Sequence, residues 1–186
     1  MSVVDQNKFP NMLLSHVELY VEDLVKMERF YTKHLGFVVT DRGQGKNAMV
    51  FLSRSPNEHH QIVLNPRQSH KTVNSPIDHI SFRVNTISDL RLFNSTLKSN
   101  SEISIQTVSH GTAWSIYFRD PEGNRFEIFT DTPWYVNQPC KFVVDFEKSD
   151  EELILFTKDK IENLPGFSVV EEWQVIHNKS LIVESE

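Results

Sequence analysis

Leu14-Ser15-His16-Val17-Glu18-Leu19-Tyr20-Val21 alternates apolar and polar side chains, and the pattern returns in Ile77-Asp78-His79-Ile80-Ser81-Phe82-Arg83-Val84. Strict alternation of this kind is the mark of a β-strand with one face buried. Each stretch carries a histidine at its third position. His16, Glu18 and Tyr20 share one face of the first strand; His79, Ser81 and Arg83 share one face of the second.

The segments after the two strands repeat as well. Leu24, Met27, Phe30, Tyr31 and Leu35 fall on one helical stripe, with Asp23 placed to cap the start and Gly36 to stop the end. Leu90, Phe93 and Leu97 make the second stripe, opened by Thr86 and Asp89 at capping-box spacing. Short strands are predicted near residues 37–40, 48–52 and 60–64, then near 104–108, 114–118 and 125–129. The order is β-α-β-β-β, twice, in modules of about 12–66 and 75–131, with a polar linker from Asn65 to Pro76. The fold class is therefore α+β: paired βαβββ modules forming a curved mixed sheet around a metal cleft. Residues 132–186 lie outside the repeat as a C-terminal extension. There Ser149 and Glu152 box a helix that ends near Pro165-Gly166, and a strand is expected within Phe167–Ile176.

His16 and His79 open equivalent strands, so the internal symmetry can bring them together. Aligning His60-Gln61-Ile62-Val63 with Phe126-Glu127-Ile128-Phe129 makes Gln61 and Glu127 equivalent too. Glu127 sits among apolar residues, where an unpaired charge is costly and a cation would match it. Two imidazoles and a carboxylate are a facial set that leaves open positions, suited to non-haem Fe(II) and also acceptable to Mn, Zn, Ni or Co. Neutral Gln61 is a poor fourth ligand.

Composition narrows the function classes. A formal net charge of −6 and the lack of a Lys/Arg cluster argue against nucleic-acid binding. The single cysteine, Cys140, excludes an intrachain disulfide and a cysteine-based zinc site, and suits a reducing cytoplasm. Met1 to Pro10 is polar, and no apolar run has the length of a membrane span. Of the remaining histidines, His34 suits the end of the first helix, His70 a linker and His177 the tail.

The run from His110 to Glu127, His-Gly-Thr-Ala-Trp-Ser-Ile-Tyr-Phe-Arg-Asp-Pro-Glu-Gly-Asn-Arg-Phe-Glu, resembles the last-strand fingerprint of the vicinal oxygen chelate superfamily. Within it, the single-module-pair extradiol ring-cleavage dioxygenases are the nearest pattern. The resemblance covers about residues 12–131. It implies that Glu127 is a metal ligand beside His16 and His79, and that Tyr117, ten residues earlier, hydrogen-bonds a bound catechol oxygen. Glu58-His59-His60-Gln61 resembles the His-His segment closing the first module, which implies an acid–base role for His60; His110 matches a histidine that contacts substrate or oxygen. In place of the aromatic residue that often follows this Leu-Asn, Leu64-Asn65 is followed by Pro66-Arg67, so substrate shape is expected to differ. The function so implied is Fe(II)-dependent extradiol cleavage of a small aromatic diol by O2, giving a ring-opened semialdehyde acid. Two other readings stay open: a glyoxalase-type metal-dependent isomerase with four ligands, and a metal-free small-molecule binder of the bleomycin-resistance kind. The extra tail is compatible with a homodimer.

Overall fold

A computed structural model describes residues 14–45, 48–66 and 77–181, with side chains through residue 176. Met1–Pro10, most of the linker, His70 and the His177 side chain lie outside the described residues.

The first module runs β1 (Val17–Val21), α1 (Leu24–Leu35), β2 (Val38–Arg42), β3 (Val50–Ser53) and β4 (Ile62–Pro66). The second runs β5 (Ile80–Arg83), α2 (Ile87–Lys98), β6 (Gln106–Ser109), β7 (Ala113–Arg119) and β8 (Arg125–Asp131). Their sheets have the same order, β1-β4-β3-β2 and β5-β8-β7-β6. In each, the first and last strands pair in parallel and the rest antiparallel. The chain is thus mixed α+β with curved mixed sheets, as the repeat predicts.

Local chemistry sets the helices. The Asp23 carboxylate accepts the Lys26 N–H at 2.9 Å, and Gly36 closes α1 at φ +68°, in the left-handed region that glycine tolerates. Both bonds of the Thr86–Asp89 capping box form at the start of α2. The α1 stripe is buried at Met27, Phe30, Tyr31 and Leu35, as its periodicity requires.

The modules join through α1. Phe30 packs against Phe118 at 6.3 Å between ring centroids, Tyr31 against Phe126 at 5.8 Å, and Phe37 against Phe82 at 5.8 Å. The Tyr31 hydroxyl donates to the buried Asp120 at 3.1 Å. Asp120 also accepts the Glu122 and Asn124 N–H groups at 3.0 and 2.9 Å, which forms the β7–β8 turn. The next acid, Glu122, accepts the backbone N–H groups of Glu22 and Asp23 at 2.9 and 2.8 Å, just ahead of α1. A carboxylate there satisfies donors that the helix entry would otherwise leave bare. The Asp120-Pro121-Glu122-Gly123-Asn124 motif is therefore a clamp between modules as well as a turn.

The extension packs onto the second module. β10 (Phe142–Val143) adds to the edge of β6. Ser149 and Glu152 box α3 (Asp150–Ile161) as expected, and α3 buries Leu153, Thr157 and Ile161. Gly111, at φ +76°, has Val136 so close that an added Cβ would lie 2.4 Å from its Cγ1. The strand expected across Phe167–Ile176 needs correction. Only Ser168–Val169 (β11) is strand, paired with Trp134–Tyr135 (β9); Val170–Leu181 is a helix, α4. Glu171 and Glu172 favour its first turn electrostatically, and Trp173 stacks on Tyr135 at 4.7 Å, a helix-borne contact that periodicity alone does not reveal.

The buried Trp114 indole N–H donates to Thr157 Oγ1 of α3 at 2.9 Å. Thr157→Val keeps the shape and removes the acceptor, so it is expected to cost about 1–3 kcal/mol in urea unfolding, the penalty for a buried unpaired donor. A loss no larger than that of an exposed Thr→Val control would show that this bond does not tie the extension to the core.

Candidate metal centre

Strand pairing decides which side chains share the candidate site. In the second module Ser81 pairs with Glu127, and Glu127 pairs with Tyr117 across β7. All three face away from Phe82, Phe126 and Phe118, which alternate with them and pack toward α1 or toward one another. The Glu127 carboxylate is buried and accepts the Ser81 hydroxyl. Its Oε2 lies 3.4 Å from His79 Nε2. His79 Nδ1 bonds to the Asp78 carboxylate at 2.6 Å, and Asp78 is in turn paired with Arg125 at 2.6 Å. That leaves His79 Nε2 aimed at the same space as Glu127 Oε2. Burial pushes the Glu127 pKa up, but hydrogen bonding from the Ser81 and Tyr117 hydroxyls and the nearby His79 outweigh it, and the net shift is downward. Glu127 is therefore ionised at neutral pH and suited to ligate a cation.

Tyr117 is buried beside Glu127. Its pKa is raised well above the ordinary phenol value, first by burial and then by Glu127, so it remains a hydrogen-bond donor. Its hydroxyl is 2.9 Å from His110 Nε2. His110 Nδ1 is 2.9 Å from the Cys140 carbonyl oxygen, which can only accept, so the proton of a neutral His110 is assigned to Nδ1. The extension thereby orients a residue of the β6–β7 turn.

In the first module the His16 and His60 rings lie 4.4 Å apart, with Phe51 5.3 Å from His60. Burial, then the His16 and His59 rings, lower the His60 pKa, so the ring is neutral at pH 7. His59 is bonded to His60 at 2.9 Å between Nδ1 atoms, and its own side chain is 59% exposed.

Two expectations change here. The site residues fall into two groups: His16 with His60, and His79 with Glu127, Tyr117 and His110. Among the described residues of one chain, no three His, Cys, Asp or Glu side chains converge where a cation would sit. The reason is geometric. Both groups occupy the sheet faces opposite those that pack onto the helices, and the modules are joined on the helix side. The second change concerns register. Ser81, two after His79, pairs with Glu127; Glu18, two after His16, pairs with Val63. The counterpart of Glu127 is therefore Val63, 2% exposed, and not Gln61. β4 starts two residues later than the sequence indicates. Gln61 instead accepts the Arg54 N–H at 2.8 Å through its side-chain oxygen. Asp78, the partner of His79, escapes a reading by strand faces; its position next to that histidine is the one signal the sequence offers.

Removing the partner that orients a ligating imidazole typically costs 10–100-fold in metal affinity. Asp78→Ala is expected to weaken metal binding by about that factor in a competition titration with a chelating dye. Unchanged affinity would mean that His79 is not a ligand or that its ring is set by other contacts.

With this geometry in view, the relatives are informative. Residues 13–128, more than half of the chain, match the family model of the Glyoxalase/Bleomycin resistance protein/Dioxygenase superfamily. Biphenyl-2,3-diol 1,2-dioxygenase 3 of Rhodococcus globerulus is 30% identical over 125 residues, 63% of this chain and 63% of that protein. Metapyrocatechase of Pseudomonas sp. is 30% identical over 120 residues, 61% of this chain and 38% of the relative. Among solved structures, a glyoxylase/bleomycin resistance protein/dioxygenase domain from Frankia sp. aligns with a TM-score of 0.57 at 25% identity, covering 66% of this chain and 99% of that one. The chain belongs to the glyoxalase/bleomycin resistance protein/dioxygenase superfamily, residues 13–128 carrying the family domain.

Proposed function

We propose that this protein is an Fe(II)-dependent extradiol dioxygenase that cleaves a catechol-type diol with O2, and that each metal is held by His16 of one copy and by His79 and Glu127 of a second copy. The observation that carries the reading is Val63 at the position equivalent to Glu127. An apolar side chain there leaves three protein donors and open positions for reactants, the arrangement suited to oxygen chemistry. A glyoxalase-type isomerase would need a fourth ligand at that position. A metal-free binder would have no use for an ionised Glu127 aimed with His79 at one point. The two dioxygenase relatives agree with the reading, although the match spans only 63% and 38% of their lengths.

A homodimer is the natural consequence of the same geometry. His16 and His60 present a half-set of groups, and His79, Glu127, Tyr117 and His110 present the other half. A twofold pair that sets each half against its complement completes two sites at once. Mn, Zn, Ni or Co fit the same donors.

When bound, a ferrous ion supplies Lewis acidity toward the diol and redox chemistry toward oxygen. The chain's own groups do the rest. The Tyr117 hydroxyl donates to His110 Nε2, which the Cys140 carbonyl fixes, and its oxygen accepts a hydrogen bond from a diol hydroxyl. Neutral His60 accepts the diol proton and returns it as the ring opens.

Protein reconstituted anaerobically with Fe(II) is expected to consume oxygen with a catechol panel and to yield coloured ring-opened products. Metal binding without oxygen uptake, with turnover of a methylglyoxal–glutathione adduct under Ni or Zn, would instead favour the isomerase. No bound divalent metal would sink both. The shared site has its own test. His16→Ala and Glu127→Ala homo-oligomers should each bind little metal, while the co-expressed, doubly tagged heterodimer keeps one intact site and binds about half the wild-type amount. No recovery in the heterodimer would place all three ligands in one chain.

A further inference from the structure

On the helix side of the junction between the modules opens a cleft of about 630 Å³, within the size range of small-molecule sites. Both modules build it. Lys33 lies near the end of α1, Phe37 just after it, and Arg54 just after β3; Phe82 and Ile128 come from β5 and β8, and Phe93 from α2. Phe82 pairs with Ile128 across the parallel strands, on the face opposite to Glu127. Phe82 and Phe93 are half-buried and Leu92 beside them is exposed, so part of this apolar wall stays in contact with water.

The charged groups around the wall are unequal in sign. Lys33, Arg54 and Arg83 line the cleft against one acid, Asp89. Asp89 is engaged by the Thr86 N–H and hydroxyl at 3.1 and 2.7 Å, and Arg83 is matched by Asp131. Counting Asp131, three cations face two acids. Among the described residues neither Lys33 nor Arg54 is paired with a carboxylate. On its other side Lys33 borders Lys26 and Arg29, with Glu102 as the one acid there, so no excess of acid reaches it from that side. Burial, then Lys33 and Arg29, hold the His34 pKa below the ordinary imidazole value, so this ring adds no charge to the lining.

Arg54 is also held in place. Its backbone N–H donates to the Gln61 side chain at 2.8 Å, and its guanidinium carbon lies 5.1 Å from the Phe93 ring centroid. Contact with a ring engages the face of a guanidinium and leaves its edge N–H groups free to grip an oxyanion.

We propose that this cleft binds a small amphipathic organic anion, its apolar body against Phe82 and Phe93 and its carboxylate taken up by Arg54 and Lys33. The site is separate from the candidate metal centre, because Phe82 and Ile128 turn away from the face that carries Ser81 and Glu127. It does not rest on the dioxygenase reading. A ligand there touches both modules at once and stabilises their junction by mass action.

The test is calorimetry and thermal melting of the full chain with two acids, octanoate and 2-naphthoate, and with their uncharged counterparts, octan-1-ol and 2-naphthylmethanol. At least one acid is expected to bind at one per chain, to raise the melting temperature, and to bind about tenfold more tightly than its alcohol. The tighter acid identifies the body as aliphatic or aromatic. Arg54→Met and Lys33→Met should each weaken the acid and spare the alcohol, and the double variant should bring the pair to equal affinity. Circular dichroism checks that these exposed substitutions keep the fold. No saturable binding of either acid, equal binding of acid and alcohol in wild type, or a preference that survives the double variant would overturn the proposal. Acid binding lost in Glu127→Ala but kept in the double variant would place the anion at the metal centre and overturn it as well.

Discussion

The alternation of side chains along β8 is the constraint on which the rest depends. Phe126 and Ile128 are buried in the core on one face, and Glu127 between them faces the other way. A strand cannot send neighbouring residues to the same side, so the strand that closes the second module's core also presents its carboxylate. The same holds for β7, where Tyr117 lies between Ile116 and Phe118. The core and the candidate site are thus two faces of one sheet. A one-residue slip in β8 would bury Glu127 among the phenylalanines and expose Phe126.

This also explains why the candidate site residues of one chain fall into two groups. The helix layer, with Tyr31 against Phe126 and on Asp120, joins the modules on their apolar faces. The buried Asp120 has its pKa raised, mainly by burial, although the bonds it accepts from Asn124, Glu122 and Tyr31 partly counter that. Its hydrogen bonds keep the turn and the α1 contact together. Packing of this kind commits the polar faces to outside surfaces, where a second copy of the chain can meet them.

The extension adds what two βαβββ modules lack. Its first part returns to the β6 edge and fixes His110 through the Cys140 carbonyl, while α3 covers the helix side through Thr157 and Trp114. One segment therefore reaches both faces of the second sheet. Packing of the second module and the orientation of His110 in the candidate site are coupled through it.

Sequence by itself determined the repeat, the helix caps, the alternation in β1 and β5, and the chemical identity of the residues that share each polar face. These are local properties: capping needs only the next three residues, and strand faces come from a period of two. Pairing was not legible. The two closing segments look alike in composition, which makes Gln61 resemble the counterpart of Glu127. The register of β4 against β1, set by long-range hydrogen bonds, puts Val63 there instead. Within Phe167–Ile176 only Ser168–Val169 is strand; the helix starts at Val170 and carries Trp173 onto Tyr135, a contact between distant residues. Above all, symmetry in the sequence made His16 and His79 equivalent, but equivalence does not require proximity. Only the tertiary structure decided that the modules pack by their helix-facing sides, where the aromatic layer around Phe30, Tyr31, Phe118 and Phe126 is removed from water.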